Sequence, residues 1–175
     1  MLQKPNPIDS EIHVLNNASI MVKTDRTGTI EYANLEYTNL SEYEVDEIIG
    51  QDVSILAHPD MPETVFNHIW ESLFKKQRTY AILKNISKSG KYFWLQVNFD
   101  FKVNEETREI ESIYAYYSKA SNVAKVELGA IYKKIKSIEE FSGMEVAENY
   151  LNGFLDEKGI KYHNLIEKYL TNTNS

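Results

Sequence analysis

The segment Lys91–Val103 constrains the fold more than any other part of the chain, because its side chains alternate over a long stretch without glycine or proline. Successive side chains of a β-strand point to opposite faces of the sheet. One alternating set is entirely apolar: Phe93, Leu95, Val97, Phe99 and Phe101. The other set mixes aromatic and polar residues: Tyr92, Trp94, Gln96, Asn98 and Asp100. The pattern predicts one long strand within a sheet.

Four further segments have strand-like patterns bounded by turn residues: 19–25, 29–33, 79–85 and 110–118. The first two are joined by a turn at Gly28, and the last three follow one another as a meander. Runs of strands around a helical insert favour an α+β structure. We therefore predict a five-stranded antiparallel sheet with short helices on one face.

The insert between the second and third strands carries several helix signals. Asn34 is placed to begin a short turn over 35–40. A second helix is predicted over 42–49, since Ser41 and Glu44 have the spacing of a capping box and Gly50 is a suitable end residue.

A third helix is predicted from Glu63 to Lys75, preceded by His58-Pro59-Asp60-Met61-Pro62. Pro62 suits a first helical turn, and Asp60 is expected to act as the N-cap. An apolar stripe follows at helical spacing: Val65, Phe66, Ile69, Trp70, Leu73 and Phe74. The start of this helix is either simply well capped or a place for an anionic or hydrogen-bonding ligand.

Both ends of the chain differ from this central domain, which we assign to residues 19–121. Residues 1–18 form a lead-in in which Ile8, Ile12 and Leu15 predict a short helix. Residues 122–175 have helical periodicity, with stops at Gly143 and Gly159 and a frayed end over 171–175. These C-terminal helices either cover the outer face of the sheet or pair with another chain.

Composition excludes several classes of function. The 175 residues carry a net charge of −7 with no basic run, which argues against nucleic acid and anionic lipid as partners. No cysteine is present, and no apolar window reaches the length of a membrane span. His58 and Asp60 are not accompanied by a nucleophile, a metal set or a phosphate loop, so we predict no enzyme. We expect a cytoplasmic protein without membrane insertion.

A joint pattern of motifs resembles one family in particular. The motifs are Asp25-Arg26-Thr27-Gly28, Tyr32-Ala33-Asn34, His58-Pro59-Asp60-Met61-Pro62, Trp70, Lys84-Asn85 and Lys91-Tyr92-Phe93-Trp94. Over about residues 17–121 the chain resembles the PAS domains of the Aer and CetB class of bacterial energy-taxis sensors. The resemblance implies a non-covalently bound flavin, usually FAD, whose redox state is reported to a methyl-accepting chemotaxis receptor. In the CetB arrangement, which this chain resembles, the PAS protein is separate and its partner is in the membrane.

Position by position, the resemblance implies a set of cofactor-binding residues: His58, Asp60, Trp70, Asn85, Asn34 and Phe66. An asparagine amide can donate to and accept from the polar edge of an isoalloxazine ring, and tryptophan offers a stacking surface. The chain departs from the family at Ala57 and Tyr117, where arginine is common. Arginine makes bidentate phosphate contacts that alanine and tyrosine cannot replace. FMN, another ligand or no ligand therefore remain open beside FAD.

Three functional hypotheses follow. The first is a flavin-based redox sensor acting on a chemotaxis receptor. The second is a ligand-free PAS adaptor that works through protein contacts, as a homodimer or with a sibling PAS protein. The third is a haem sensor with His68 as axial ligand. Asn85→Ala or His58→Ala should abolish cofactor retention under the first hypothesis and leave partner binding unchanged under the second.

Overall fold

The computed structural model describes residues 2–170, and the predicted frayed end at 171–175 lies outside them. Five strands form one antiparallel sheet in the order β2-β1-β5-β4-β3. Their bounds are β1 Ile20–Asp25, β2 Ile30–Ala33, β3 Thr79–Ile86, β4 Tyr92–Val103 and β5 Ile110–Lys119. The predicted α+β class and five-stranded sheet are confirmed.

The insert between β2 and β3 forms α1 Leu35–Ser41, α2 Val45–Ile48, a 3₁₀ turn Val53–Leu56 and α3 Glu63–Phe74. As predicted, Asn34 begins α1, since its side chain accepts a hydrogen bond from the backbone N–H of Tyr37.

The predicted helix 42–49 is wrong in its start. Helix α1 continues through Ser41, and Glu42 adopts a left-handed conformation with φ of 60°. The capping box forms instead at Glu44 and Glu47, one turn further along. The Glu42 carboxylate accepts hydrogen bonds from Ser87 and Ser89 of the β3–β4 turn, which holds residue 42 out of a helix.

No helix forms over residues 2–18, contrary to our prediction. This segment is extended and follows the start of β4: Ile8 donates to Gly90 O at 2.9 Å and Ile12 to Tyr92 O at 2.7 Å. A Cβ at Gly90, where φ is +89°, would lie 2.2 Å from the backbone oxygen of Asn6. Tertiary pairing with the sheet therefore outweighs the weak helical spacing of the lead-in.

The C-terminal segment forms three helices: α4 Asn122–Ser142, α5 Met144–Lys158 and α6 Tyr162–Glu167. Helix α4 lies on the outer face of β3 and β4. The rings of Tyr132 and Trp94 stack with centroids 6.4 Å apart, and the Tyr132 hydroxyl donates to Ile82 O at 2.9 Å. The tail therefore covers part of this face, whereas Tyr32 and Tyr116 on the same face remain half exposed.

Within residues 2–170, no helix is both long enough and apolar enough to span a membrane.

Candidate ligand-binding site

A cavity of about 770 Å³ lies between the inner face of the sheet and helix α3. The sheet contributes Leu83, Asn85, Phe99, Ile113, Ala115 and Tyr117, and α3 contributes Phe66, Ile69, Trp70 and Leu73. Ligand sites of small molecules and cofactors are typically apolar cavities of roughly 300–1,000 Å³ with few polar groups. The size and lining suit a planar ring system.

Trp70 forms the wall of the cavity next to the β1–β2 turn. Its ring packs against Gly28, where a Cβ would lie 3.2 Å from the indole, and φ at Gly28 is +91°. On its other side Trp70 stacks on Phe74 with centroids 5.8 Å apart. A glycine in the turn thus allows the indole to close the cavity.

Asn85 supplies a polar group to this lining. It lies on the inner face of β3, is 8% exposed, and its backbone pairs with that of Ala57. The Asn85 carboxamide belongs to the lining of the cavity, where it offers both a donor and an acceptor. Such an amide can bind the polar edge of a ligand that enters the cavity.

His58 lines the cavity as well and is 5% exposed. Its Nδ1 accepts a hydrogen bond from the backbone N–H of Asp60 at 3.1 Å, which assigns the proton of the neutral ring to Nε2. Burial, and secondly the Lys84 cation, lower the pKa of His58 below 6.5. The imidazole is therefore a neutral N–H donor at neutral pH.

Asp60 does not line the cavity. Its carboxylate is largely exposed and accepts a hydrogen bond from Lys84 Nζ at 2.6 Å. Partial burial raises the pKa of Asp60, but the Lys84 hydrogen bond and charge outweigh it, so the pKa is lowered overall. Asp60 thus connects the loop around His58 to β3.

The prediction that Asp60 caps α3 is wrong, because the helix begins after Pro62 and no side chain of that loop caps it. The backbone N–H of Thr64 instead donates to Glu139 Oε1 of helix α4 at 2.7 Å. The electropositive start of α3 is therefore already occupied by a carboxylate of the same chain.

Asn34 also lies outside the cavity. Its Oδ1 accepts from the backbone N–H groups of Met21 and Tyr37, and its Nδ2 donates to Ser19 O. All of this hydrogen bonding joins α1 to β1, which gives Asn34 a structural role.

His68 points away from the cavity, toward the C-terminal helices. Its Nε2 lies 3.4 Å from Glu148 Oε2 of α5, and its ring lies 5.4 Å from that of Tyr162 of α6. Because His68 does not line the cavity, it is not placed to be the axial ligand of a haem bound there. The structure therefore does not support the haem hypothesis.

Sequence reasoning missed Tyr37 and Lys136 as lining residues, and it treated Tyr117 only as a departure from the family. Tyr37 comes from α1 and Lys136 from the end of α4. Tyr37 follows the N-cap Asn34 by three residues, a signal that it faces the core. Nothing in the sequence places Lys136 beside a site formed by residues 24–117.

The charged residues of the lining are Lys4, Lys136, Asp52, Glu63 and Glu140. The lining thus contains two cations and three carboxylates. Ala57 occupies the position where the Aer and CetB class commonly has arginine. The remaining polar residues of the lining are uncharged, so the cavity as a whole is not a strong anion site.

Residues 30–115 match the family described as the PAS fold. With its five-stranded antiparallel sheet and its cavity beneath α3, the chain thus contains a PAS domain. Within this family its domain is of the type found in the aerotaxis receptor.

The relatives are longer proteins. The chain is 27% identical over 138 residues to the aerotaxis receptor of Escherichia coli strain K12, covering 79% of this chain and 26% of the receptor. It is 28% identical over 142 residues to a blue-light-activated histidine kinase of Brucella anthropi, covering 80% of this chain and 28% of the kinase. The chain thus spans about a quarter of the length of these two relatives.

Solved structures share the fold. The light-state LOV domain of the photoreceptor Aureochrome1 has a TM-score of 0.56 at 23% identity, covering 64% of this chain and 90% of that chain. A light-oxygen-voltage domain studied with a flavin analogue has a TM-score of 0.57 at 22% identity, covering 66% of this chain and 88% of that chain. These likenesses concern the fold alone.

Proposed function

We propose that this chain is a sensory signal-transduction protein that binds a flavin non-covalently in the cavity and reports redox state. The observation that carries the proposal is the buried amide of Asn85 in a cavity lined largely by apolar and aromatic side chains. A flavin ring has an apolar body and a polar edge that both donates and accepts, which complements such a lining. FAD is the form that the resemblance implies.

The signal would leave through the C-terminal helices. Lys136 and Glu140 of α4 line the cavity, and Glu139 between them binds the first turn of α3. A change of charge or protonation on the flavin alters hydrogen bonds at Asn85 and the position of α3. It thereby shifts the population of docked and undocked α4. The partner we propose is a methyl-accepting chemotaxis receptor, with the chain acting in the cytoplasm.

The test is the absorption spectrum of freshly purified protein, with the supernatant analysed after heat release. We expect oxidised flavin bands in the blue. Asn85→Ala should weaken flavin binding at least about tenfold, since the cavity loses a buried donor and acceptor for the ring. Asn98→Ala is the matched control, because Asn98 is an exposed asparagine on β4.

A second candidate is the ligand-free adaptor, which works alone or with a sibling PAS protein. It is favoured by Ala57 and by the balance of two cations against three carboxylates in the lining. The decisive result would be a protein that stays colourless after incubation with riboflavin, FMN and FAD and binds none of them by calorimetry. That result would contradict the sensor and support the adaptor.

A further inference from the structure

We propose that the hydroxyl of Tyr37 donates a hydrogen bond to an uncharged acceptor on the buried ring of the ligand. This inference rests on the proposed function and names a ligand contact that the family motifs do not include.

Tyr37 has an unusual combination of burial and missing contacts. Its side chain is 3% exposed and lines the cavity, yet its hydroxyl oxygen has no hydrogen-bond partner among residues 2–170. A buried hydroxyl without a partner opposes folding, so such groups are rare unless they serve a ligand. Phenylalanine would fill the same space without this cost.

The backbone holds Tyr37 in place. Its N–H is bound by Asn34 Oδ1 at 3.2 Å, and Asn34 in turn binds Met21 N and Ser19 O of the neighbouring strand region. The Tyr37 ring also packs on Tyr117, with centroids 6.1 Å apart. A side chain held by its backbone hydrogen bond and by the Tyr117 ring presents its hydroxyl with little loss of side-chain entropy on binding.

The polar groups of the cavity other than its charged residues define the ligand chemistry. They include Thr24, Tyr37, Asn85 and Tyr117, together with the neutral imidazole of His58. Burial raises the pKa of both tyrosines above 10, so their hydroxyls stay protonated and can donate. The buried end of the ligand is therefore uncharged and carries acceptors, such as carbonyl oxygens or ring nitrogens. Any phosphate must lie elsewhere, toward Lys4 or Lys136.

The experiment compares Tyr37→Phe with Tyr43→Phe in the full chain. Tyr43 is as buried as Tyr37, but it does not line the cavity. Binding of riboflavin, FMN and FAD is measured by calorimetry, and the ligand-free melting temperature by calorimetric unfolding. We expect Y37F to bind all three flavins about tenfold more weakly, with the same factor for each, because the contact is to the ring they share. The ligand-free melting temperature of Y37F should be unchanged or higher, and Y43F should bind as wild type.

Each other outcome overturns the assignment. An unchanged flavin affinity in Y37F would show that the Tyr37 hydroxyl does not bind the ligand. A loss for FAD alone moves the contact to the dinucleotide tail. A fall in the ligand-free melting temperature of Y37F that accounts for weaker binding makes the hydroxyl structural. If the wild-type protein binds none of the three flavins, the proposed function is wrong and the Tyr37 contact is wrong with it. If the wild-type protein binds flavin and Y37F binds equally well, only the Tyr37 contact is wrong.

Discussion

Glu139 and Thr64 lie 75 residues apart in the sequence, but Glu139 Oε1 accepts a hydrogen bond from the backbone N–H of Thr64 at 2.7 Å. The Glu139 side chain is only 6% exposed, and Lys136 Nζ lies 3.5 Å from its second oxygen. A residue of the C-terminal helices therefore supplies the N-terminal cap of the helix that walls the cavity. This contact joins the tail to the site.

Glu139→Ala should remove this cap. Loss of an N-cap costs about 1 kcal/mol, so we expect the free energy of unfolding to fall by about that amount in urea denaturation. Amide exchange should also become faster in the first turn of α3 and the last turns of α4. Glu140→Ala is the control, since Glu140 is the exposed neighbour in the same turn. Equal stability of the two variants would contradict a capping role for Glu139.

Tyr132→Phe should loosen α4 from the sheet. The Tyr132 hydroxyl is buried and donates to Ile82 O on the edge strand β3, so the substitution leaves that carbonyl without its side-chain partner. We expect a loss of about 1–2 kcal/mol in the free energy of unfolding. Tyr150→Phe, at a tyrosine 38% exposed on α5, should be near neutral. If both variants unfold alike, the Tyr132 hydrogen bond contributes nothing to docking.

Glu42 should make stability depend on acid pH. Partial burial raises the pKa of Glu42, but hydrogen bonds from Ser89 and Ser87 outweigh this and lower it from 4.5 to about 2. The folded state therefore favours the ionised carboxylate. The contribution of the Glu42 carboxylate to the free energy of unfolding is complete above about pH 4.5 and is lost as the pH falls toward 2.

The matching variant is Glu42→Gln. At neutral pH it should be less stable than wild type by about 1–2 kcal/mol, because a charged acceptor is replaced by a neutral one. The difference in unfolding free energy between wild type and this variant, measured by urea denaturation, should disappear as the pH is lowered through the same window. Glu157→Gln, at an exposed site on α5, should show no such closing. A gap that stays constant down to about pH 2 would refute the assignment.

Gly28→Ala should strain the turn beneath Trp70. The residue has φ of +91°, and its Cβ would press on the indole at 3.2 Å. We expect a loss of about 1–2 kcal/mol in stability, together with a shift in tryptophan fluorescence. Gly153→Ala within α5 has open space around its Cβ and should instead stabilise by about 0.5–1 kcal/mol. Equal effects at both glycines would mean that Trp70 does not depend on the turn.

The sequence alone determined what depends on neighbours along the chain. Alternation defined β4, helical spacing placed α3 to α6, and Gly50, Gly143 and Gly159 end their helices with positive φ. These signals are local, because a strand or helix repeats its side-chain directions every few residues. The resemblance to the Aer and CetB class, and not local periodicity, pointed to His58, Phe66, Trp70 and Asn85, and these four residues line one cavity.

Only the tertiary structure decided which group meets which across the fold. It gave the cap of α3 to Glu139 rather than Asp60, and it turned Asp60 toward Lys84. It also paired the lead-in with β4 and brought Tyr37 to the cavity, where no residue from 2 to 170 binds its hydroxyl. Each of these outcomes depends on residues far apart in sequence, whose competition for the same backbone or carboxylate is settled by packing and not by local propensity.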